Sequence, residues 1–499
     1  MCHLSNTLSK TEAMESGRDG LYVGPTQAKR PLIEPLSLDL FSEQGVERSM
    51  VGSRQSVIMP MPFNDQSCIH FQIKKIPYHY LDLSSAALCG SIRVMRVDKQ
   101  HGTEHINQLD NVGVCSYFPA ALFSSMEVDI AGQNISKMNS NYFHYKTFLQ
   151  TLLTFGKDVK DTSLKSAGWL NDEVEKFDEL HNSVGDIKRK WAAFSRRLDF
   201  VFPLHSGPFS MDKLFPDFLD MDIRFHRTND LIPLTYTKFL QTHIKPAFSE
   251  ADIALDPTRP DYLHYRDMQK GLAKQDESTY SIKVSEICLK IRRIILKPDL
   301  VAEHQRFLNE NKLLRYPWTR SELKIAGLIS PGTKELKNND LYTDRLPNSL
   351  IIALIDSKRF SGDLSLNCYK FENFKLNSIY LEVNQRKIPA EGFTPDFEND
   401  NFTATYNGLF ENTGLLGTNQ SNGITMELYK DAFAFYAFDL SPDKCLNYHS
   451  HGDDFGILSL TLTLAENAIE AITVLCLASF DETMSIDKDG QCFFDVAAT

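Results

Sequence analysis

The chain carries one pattern twice, and a duplicated strand–turn–helix unit leaves few folds open. Residues 125–155 begin with the alternating run Met126-Glu127-Val128-Asp129-Ile130, turn at Gly132-Gln133 and resume at Ile135. Tyr145, Phe148, Leu149, Leu152 and Leu153 then follow at helical spacing, with Asn141 placed to cap that helix and Gly156 to stop it. Residues 378–417 repeat the outline: Ile379-Tyr380-Leu381-Glu382-Val383, a turn at Asn384-Gln385, Ile388, and a short segment through Tyr406, Leu409 and Phe410. The repeat predicts two copies of one β-domain.

A length of 499 residues accommodates two such domains and a tail. With 42% hydrophobic residues, 33 Phe and 18 Tyr, the chain has the material for packed cores, which a disordered scaffold lacks. No apolar run reaches membrane-spanning length, and Met1-Cys2-His3-Leu4-Ser5 lacks a signal-peptide core, so the expectation is synthesis in the cytosol without secretion. The nine cysteines form no CxxC pair and several, including Cys89, Cys288 and Cys476, lie in strand-like runs, which predicts buried, reduced thiols. A net charge of −12 argues against a surface that coats nucleic acid. The one basic cluster, Lys188-Arg189-Lys190 with Arg196 and Arg197, reads as a solvated loop face, with an import signal or nucleic-acid contact as the alternative.

In order, residues 1–50 read as a flexible arm with a short apolar patch at 36–41, and 51–298 as the first β-domain. Residues 299–315 are a connecting helix capped by Asp299, and 316–499 the second β-domain. Strands are expected at 68–73, 88–97, 197–204, 221–225 and 282–296 in the first, where the apolar phase slips between Val284 and Ile287 as a β-bulge requires. In the second they fall at 323–325, 350–355, 379–383, 433–438, 458–464 and 472–480. Two polar excursions follow, 156–190 reading as a surface loop with some helix and 228–278 as an elaborated loop. Many short alternating strands with few helices indicate a sandwich or jelly roll rather than a parallel α/β fold.

Chemistry is sparse. His449-Ser450-His451 with Asp453 and Asp454 has the x, x+2 spacing of a cupin metal site. The neighbouring Asn447 and Gly452 mark a turn, Ile457 and Leu458 stand where a cupin glutamate belongs, and no later histidine exists. An exposed loop is the reading adopted. The pairs Asp396/Glu398 and Asp453/Asp454 are read as acidic loop residues rather than a glycosidase dyad. No GxSxG, HExxH or Walker motif is present, and Phe200/Phe202 and Phe433/Phe435 sit at strand period, as core residues do. No catalytic, cofactor-binding or metal residue is therefore assigned.

Several segments together resemble the major capsid protein of Polinton/Maverick-type elements and adintoviruses, in the double jelly-roll lineage that includes adenovirus hexon. Residues 38–42 (LDLFS), 145–158 (YKTFLQTLLTFGKD), Leu346-Pro347 with 351–356, 394–399 (TPDFEN), 436–443 (YAFDLSPD) and 480–488 are similar to that family's motifs and stand in its order. After LDLFS the family continues "VPPTQTS", whereas residues 43–50 read EQGVERSM. The resemblance implies a mainly β protein of two tandem eight-stranded antiparallel jelly rolls with long loop insertions and a few short helices. It implies a structural protein without enzymatic activity, forming homotrimeric, pseudo-hexagonal capsomers of an icosahedral shell. It also implies a minor capsid or penton partner of single jelly-roll type, synthesis in the host cytoplasm, assembly in the nucleus and residence in the virion. No membrane span and no strong direct nucleic-acid binding are expected of such an acidic subunit. A cupin-like or carbohydrate-binding tandem jelly-roll protein is the alternative.

Overall fold

The computed structural model describes residues 49–62, 67–98, 102–106, 111–135, 142–180, 182–205, 207–216, 218–236, 279–442, 444 and 454–495. The arm at 1–48, most of the second excursion, and His449, His451 and Asp453 lie outside the described residues. Eight strands form the framework of the first half: β1 (Met50–Ile58), β2 (Cys68–Ile73), β3 (His79–Asp98), β4 (Phe123–Ile130), β5 (Gln133–Asn134), β6 (Leu198–Pro203), β7 (Met221–Arg227) and β8 (Thr279–Leu296). Eight more form the second: β9 (Leu314–Ile329), β10 (Glu335–Tyr342), β11 (Ser349–Asp356), β12 (Leu376–Val383), β13 (Arg386–Phe393), β14 (Phe435–Asp439), β15 (Leu458–Leu464) and β16 (Ile472–Ile486).

The two sets are wired alike. In the first half one sheet runs β1-β8-β3-β6 and the other β2-β7-β4-β5; adding eight to each label gives the sheets of the second half, β9-β16-β11-β14 and β10-β15-β12-β13. Every one of these pairings is antiparallel, and no framework strand of one half pairs with a described strand of the other. The repeated unit of the sequence is the β4–β5 hairpin and its counterpart β12–β13. Each closes through two residues in the left-handed region, Ala131 and Gly132 (φ 49° and 80°) in one and Asn384 and Gln385 (φ 47° and 71°) in the other. Positive φ at both central residues makes a type I′ turn, whose twist matches that of the strands. The first turn sits one residue earlier than the spacing predicts. A helix follows each hairpin: α1 (Phe143–Thr154) after the first.

Period-2 patterning places the cores as expected. Met221, Ile223 and Phe225 of β7 are buried, as are Phe200 and Phe202 of β6, whereas Val201 between them is 43% exposed. The phase slip in β8 is a bulge: register with β3 shifts between Ser285 and Cys288, where Glu286 takes φ 52°. Strand β15 differs from the half-buried pattern, since Ser459 and Thr461 are buried along with its leucines. It is a central strand of its sheet, and both of its faces are buried.

Other expectations shift. Residues 156–190 hold the helix expected of them but do not stay at the surface. They fold into short helical turns and α2 (Ser183–Ala192), and bury Leu164, Trp169, Phe177 and Leu180. Lys188 of the basic cluster is itself buried, paired with Asp172, so 188–190 is not one solvated face. The connecting helix α3 covers Pro298–Asn309; Lys297 is its N-cap, Pro298 takes the first turn where its missing N–H costs nothing, and Asp299 makes no side-chain cap. The helix after the second hairpin is α4 (Thr403–Glu411). Tyr142, in the left-handed region, precedes α1, and Asn141 is outside the described residues.

Candidate functional site: the seam between the halves

One hydrophobic core runs through both sets of sheets without a break. It is continuous because α1 presents its apolar face to the second half. Tyr145 stacks on Phe360 (ring centroids 5.2 Å, planes 14° apart), and Phe148 lies flat on Tyr369 at 3.9 Å and 3°. Trp169 covers the other side of Phe148 at 5.3 Å, and Phe177 meets Phe433 edge-on at 5.5 Å. Offset aromatic pairs of this kind contribute about 0.5–1.5 kcal/mol each beyond their buried area. Helical spacing in 145–153 foresees the apolar face; that its partners come from residues more than two hundred positions on is not written in it.

Beside the aromatic stack lies a charge network that sequence reading missed. Arg359, buried at 5% exposure, grips Asp178 with two nitrogens at 2.5 and 2.7 Å and reaches Glu372 at 3.0 Å. The Asn367 backbone N–H donates to Asp178 at 2.7 Å, and its side-chain amide donates to Asp172 at 3.1 Å. Lys370 bridges Glu372 and Asp431, and Asp431 accepts the Glu175 N–H at 2.6 Å. Burial pushes the Asp178 carboxyl up, but Arg359 and the Asn367 amide outweigh it and hold the group below its usual range. Breaking such a pair strands a charge, so the network fixes how the halves meet more than it adds net stability. Cys115 and Cys368, both buried and free, add a thiol contact across the seam, and burial raises the Cys115 thiol.

Lys160 is the least expected residue. It is 3% exposed, and its ammonium donates to the carbonyls of Leu152 (2.6 Å) and Asn422 (2.5 Å). Burial without a close counter-ion lowers its pKa to about 7.

The residues weighed for catalysis take structural roles where they are described. Asp396 accepts from the Asn399 backbone and side chain at 3.1 and 2.7 Å, closing a turn, and Glu398 pairs with Lys375 at 2.7 Å. Asp454 is exposed and its carbonyl accepts from the Leu346 N–H. Among the described residues no group of three or more His, Cys, Asp or Glu is arranged to hold a metal ion, and no helix is long and apolar enough to cross a membrane.

Apolar side chains also reach the outside. Val51 and Val57 of β1 are 64% and 56% exposed, followed by Met59 and Met61, and on β9 Leu328 is 54% and Ile325 40% exposed. Strands β1 and β9 occupy the same place in their two sheets, and each is paired on one side only among the described strands.

A chain in the cryo-EM structure of the Sputnik virophage matches with a TM-score of 0.60 at 12% identity, covering 94% of this chain and 93% of that one. The double jelly roll is the fold. PBCV-1 VP54, as fitted into a reconstruction of that virophage, matches a double jelly roll of the same kind here, with TM-score 0.52, 11% identity, and 92% and 100% of the two chains covered. The PBCV-1 virus capsid model gives 0.51 at 10%, with the same coverage. At these identities the likeness concerns the fold alone. No family model matches the chain. An uncharacterized protein of Caenorhabditis elegans, F54H12.2, is 19% identical over 306 residues, which is 61% of this chain and 63% of that protein.

Proposed function

We propose that this chain is a structural major capsid protein, without enzymatic activity, of the Polinton/Maverick and adintovirus kind. Its two jelly rolls are taken as residues 51–298 and 316–499, joined by 299–315, with 1–50 as an arm. Three copies would form a pseudo-hexagonal capsomer, and capsomers would tile an icosahedral shell with a single jelly-roll penton protein at its vertices. Synthesis in the host cytoplasm and assembly in the nucleus complete the reading.

The observation that carries it is the identical wiring of the two halves together with the seam that fuses them. A rigid pair of equivalent barrels lets three chains supply six similar walls. The exposed apolar residues lie on β1 and β9, strands that hold the same place in their two sheets, and contact with a neighbour would remove them from water at about 25 cal/mol per Å². The similar chains belong to virus particles, and the acidic net charge of −12 leaves genome contact to other proteins.

Native mass measurement on the full chain, followed by negative-stain imaging, tests the proposal. A species of three times 56.8 kDa, with six-lobed outlines, is expected. Val57→Asp together with Leu328→Asp should yield folded monomers. A wild-type protein that stays monomeric at micromolar concentrations would overturn the reading.

A further inference from the structure

Between α1, the segment 157–177 and residues 423–433 the seam leaves a partly enclosed cavity of about 190 Å³. Its walls are aromatic, formed by Phe148, Trp169, Phe177, Tyr369 and Phe433. An apolar cavity of roughly 150 Å³ suffices for benzene, so this one takes a single ring with a short substituent.

The polar groups in and beside it include two lysines and two donors without an acceptor, together with the Asp172 carboxylate, which lines the cavity. The Lys160 ammonium has three N–H donors, and its two hydrogen-bond partners are neutral carbonyls. Lys157 stands exposed at the rim. Among the described residues the buried Tyr369 hydroxyl meets no hydrogen-bond partner, nor does the side-chain nitrogen of Asn422, next to the lining residue Gly423. The carboxylates nearby are engaged: Asp172 by Lys188 and Asn367, and Asp161 by Asn171 at 2.6 Å. An anionic oxygen is the group that this arrangement lacks.

We propose that the cavity binds a small aromatic monocarboxylate, with its ring among the aromatic walls and its carboxylate on Lys160. The ligand would touch both jelly rolls and tighten the seam by mass action. The assignment does not depend on the capsid reading.

Phenylacetate titrated into the full-length protein, followed by calorimetry and thermal unfolding, tests it against phenylacetamide, its neutral isostere. Saturable binding of phenylacetate with a rise in Tm is expected, with phenylacetamide weaker by about tenfold or more. Lys160→Met should abolish binding. Since that variant alters a buried site, Lys157→Ala at the rim serves as the second, expected to weaken binding several-fold in a protein of unchanged Tm. Photolabelling with 4-azidophenylacetate should mark peptides within 148–177 and 423–433. Absence of saturable binding, equal affinity for acid and amide, or labelling elsewhere would each overturn the proposal.

Discussion

Truncating Phe148 to alanine measures how firmly the two halves are joined. The side chain is 2% exposed, lies 3.9 Å from Tyr369 and 5.3 Å from Trp169, and so has an aromatic neighbour on each face. Phe→Ala at such a site costs about 3–5 kcal/mol, the sum of lost transfer energy and the void left behind. Because Phe148 already lines the seam cavity, the void opens into existing space that water can enter, which favours the lower end. A double-mutant cycle isolates the contact across the seam: Phe148→Leu and Tyr369→Leu, singly and together, should give a coupling of about 0.5–1.5 kcal/mol. Urea unfolding followed by circular dichroism and by tryptophan fluorescence, with Trp169 in the affected stack, supplies the free energies. If the halves are one cooperative unit, both probes report the same transition. A loss below about 1 kcal/mol for Phe148→Ala, a coupling near zero, or a wild-type transition that splits in two would refute the weld.

Replacing Arg359 with Met takes the guanidinium from the Asp178 carboxylate and leaves Glu372 only Lys370, and should cost about 3–5 kcal/mol in the same urea assay, with Arg359→Lys recovering only part because a point charge cannot reproduce the two-pronged grip. Asp178 titrates below its ordinary range in the folded state, so its contribution is present above the unfolded carboxyl pKa and is lost as the pH falls through the folded value. Unfolding midpoints should drop on acidification, less steeply in Asp178→Asn. Lys160 acts in the same direction at higher pH: with its pKa lowered to about 7, the unfolded chain binds the extra proton from there up to the ordinary lysine range, so stability rises with pH across that window and Lys160→Met should flatten the rise. Gly168→Ala combines a φ of 74° with a Cβ placed 2.6 Å from the Phe118 ring, and should lose at least about 2 kcal/mol by thermal unfolding.

What could be read from the sequence was whatever is local and periodic. Met221, Ile223 and Phe225 announce their strand, the slip between Val284 and Ile287 announces the bulge, and the duplicated hairpin announces the paired wiring. The seam is neither local nor periodic. Asp178 and Arg359 are 181 positions apart, and nothing near either marks it as half of a pair. Residues 156–190 look polar because their buried members, Leu164, Trp169, Phe177 and Leu180, follow no helical or strand period. Lys160 and Lys188 count as surface charge in any composition argument, since lysine is almost never fully buried without a partner. Their carbonyl and carboxylate acceptors come only with the fold. The start of α3 was misplaced for a simpler reason: proline ends strands, but it also opens helices.

The type I′ hairpins, one in each barrel, have a consequence for how such a chain changes. Covalent linkage fixes the twins at a one-to-one ratio from the moment of translation, so neither is diluted, exchanged or replaced by a rival copy. Each is then free to accept substitutions that the other would not tolerate. Asn384-Gln385 stands where its twin has Ala131-Gly132, two different residue pairs in the same bend.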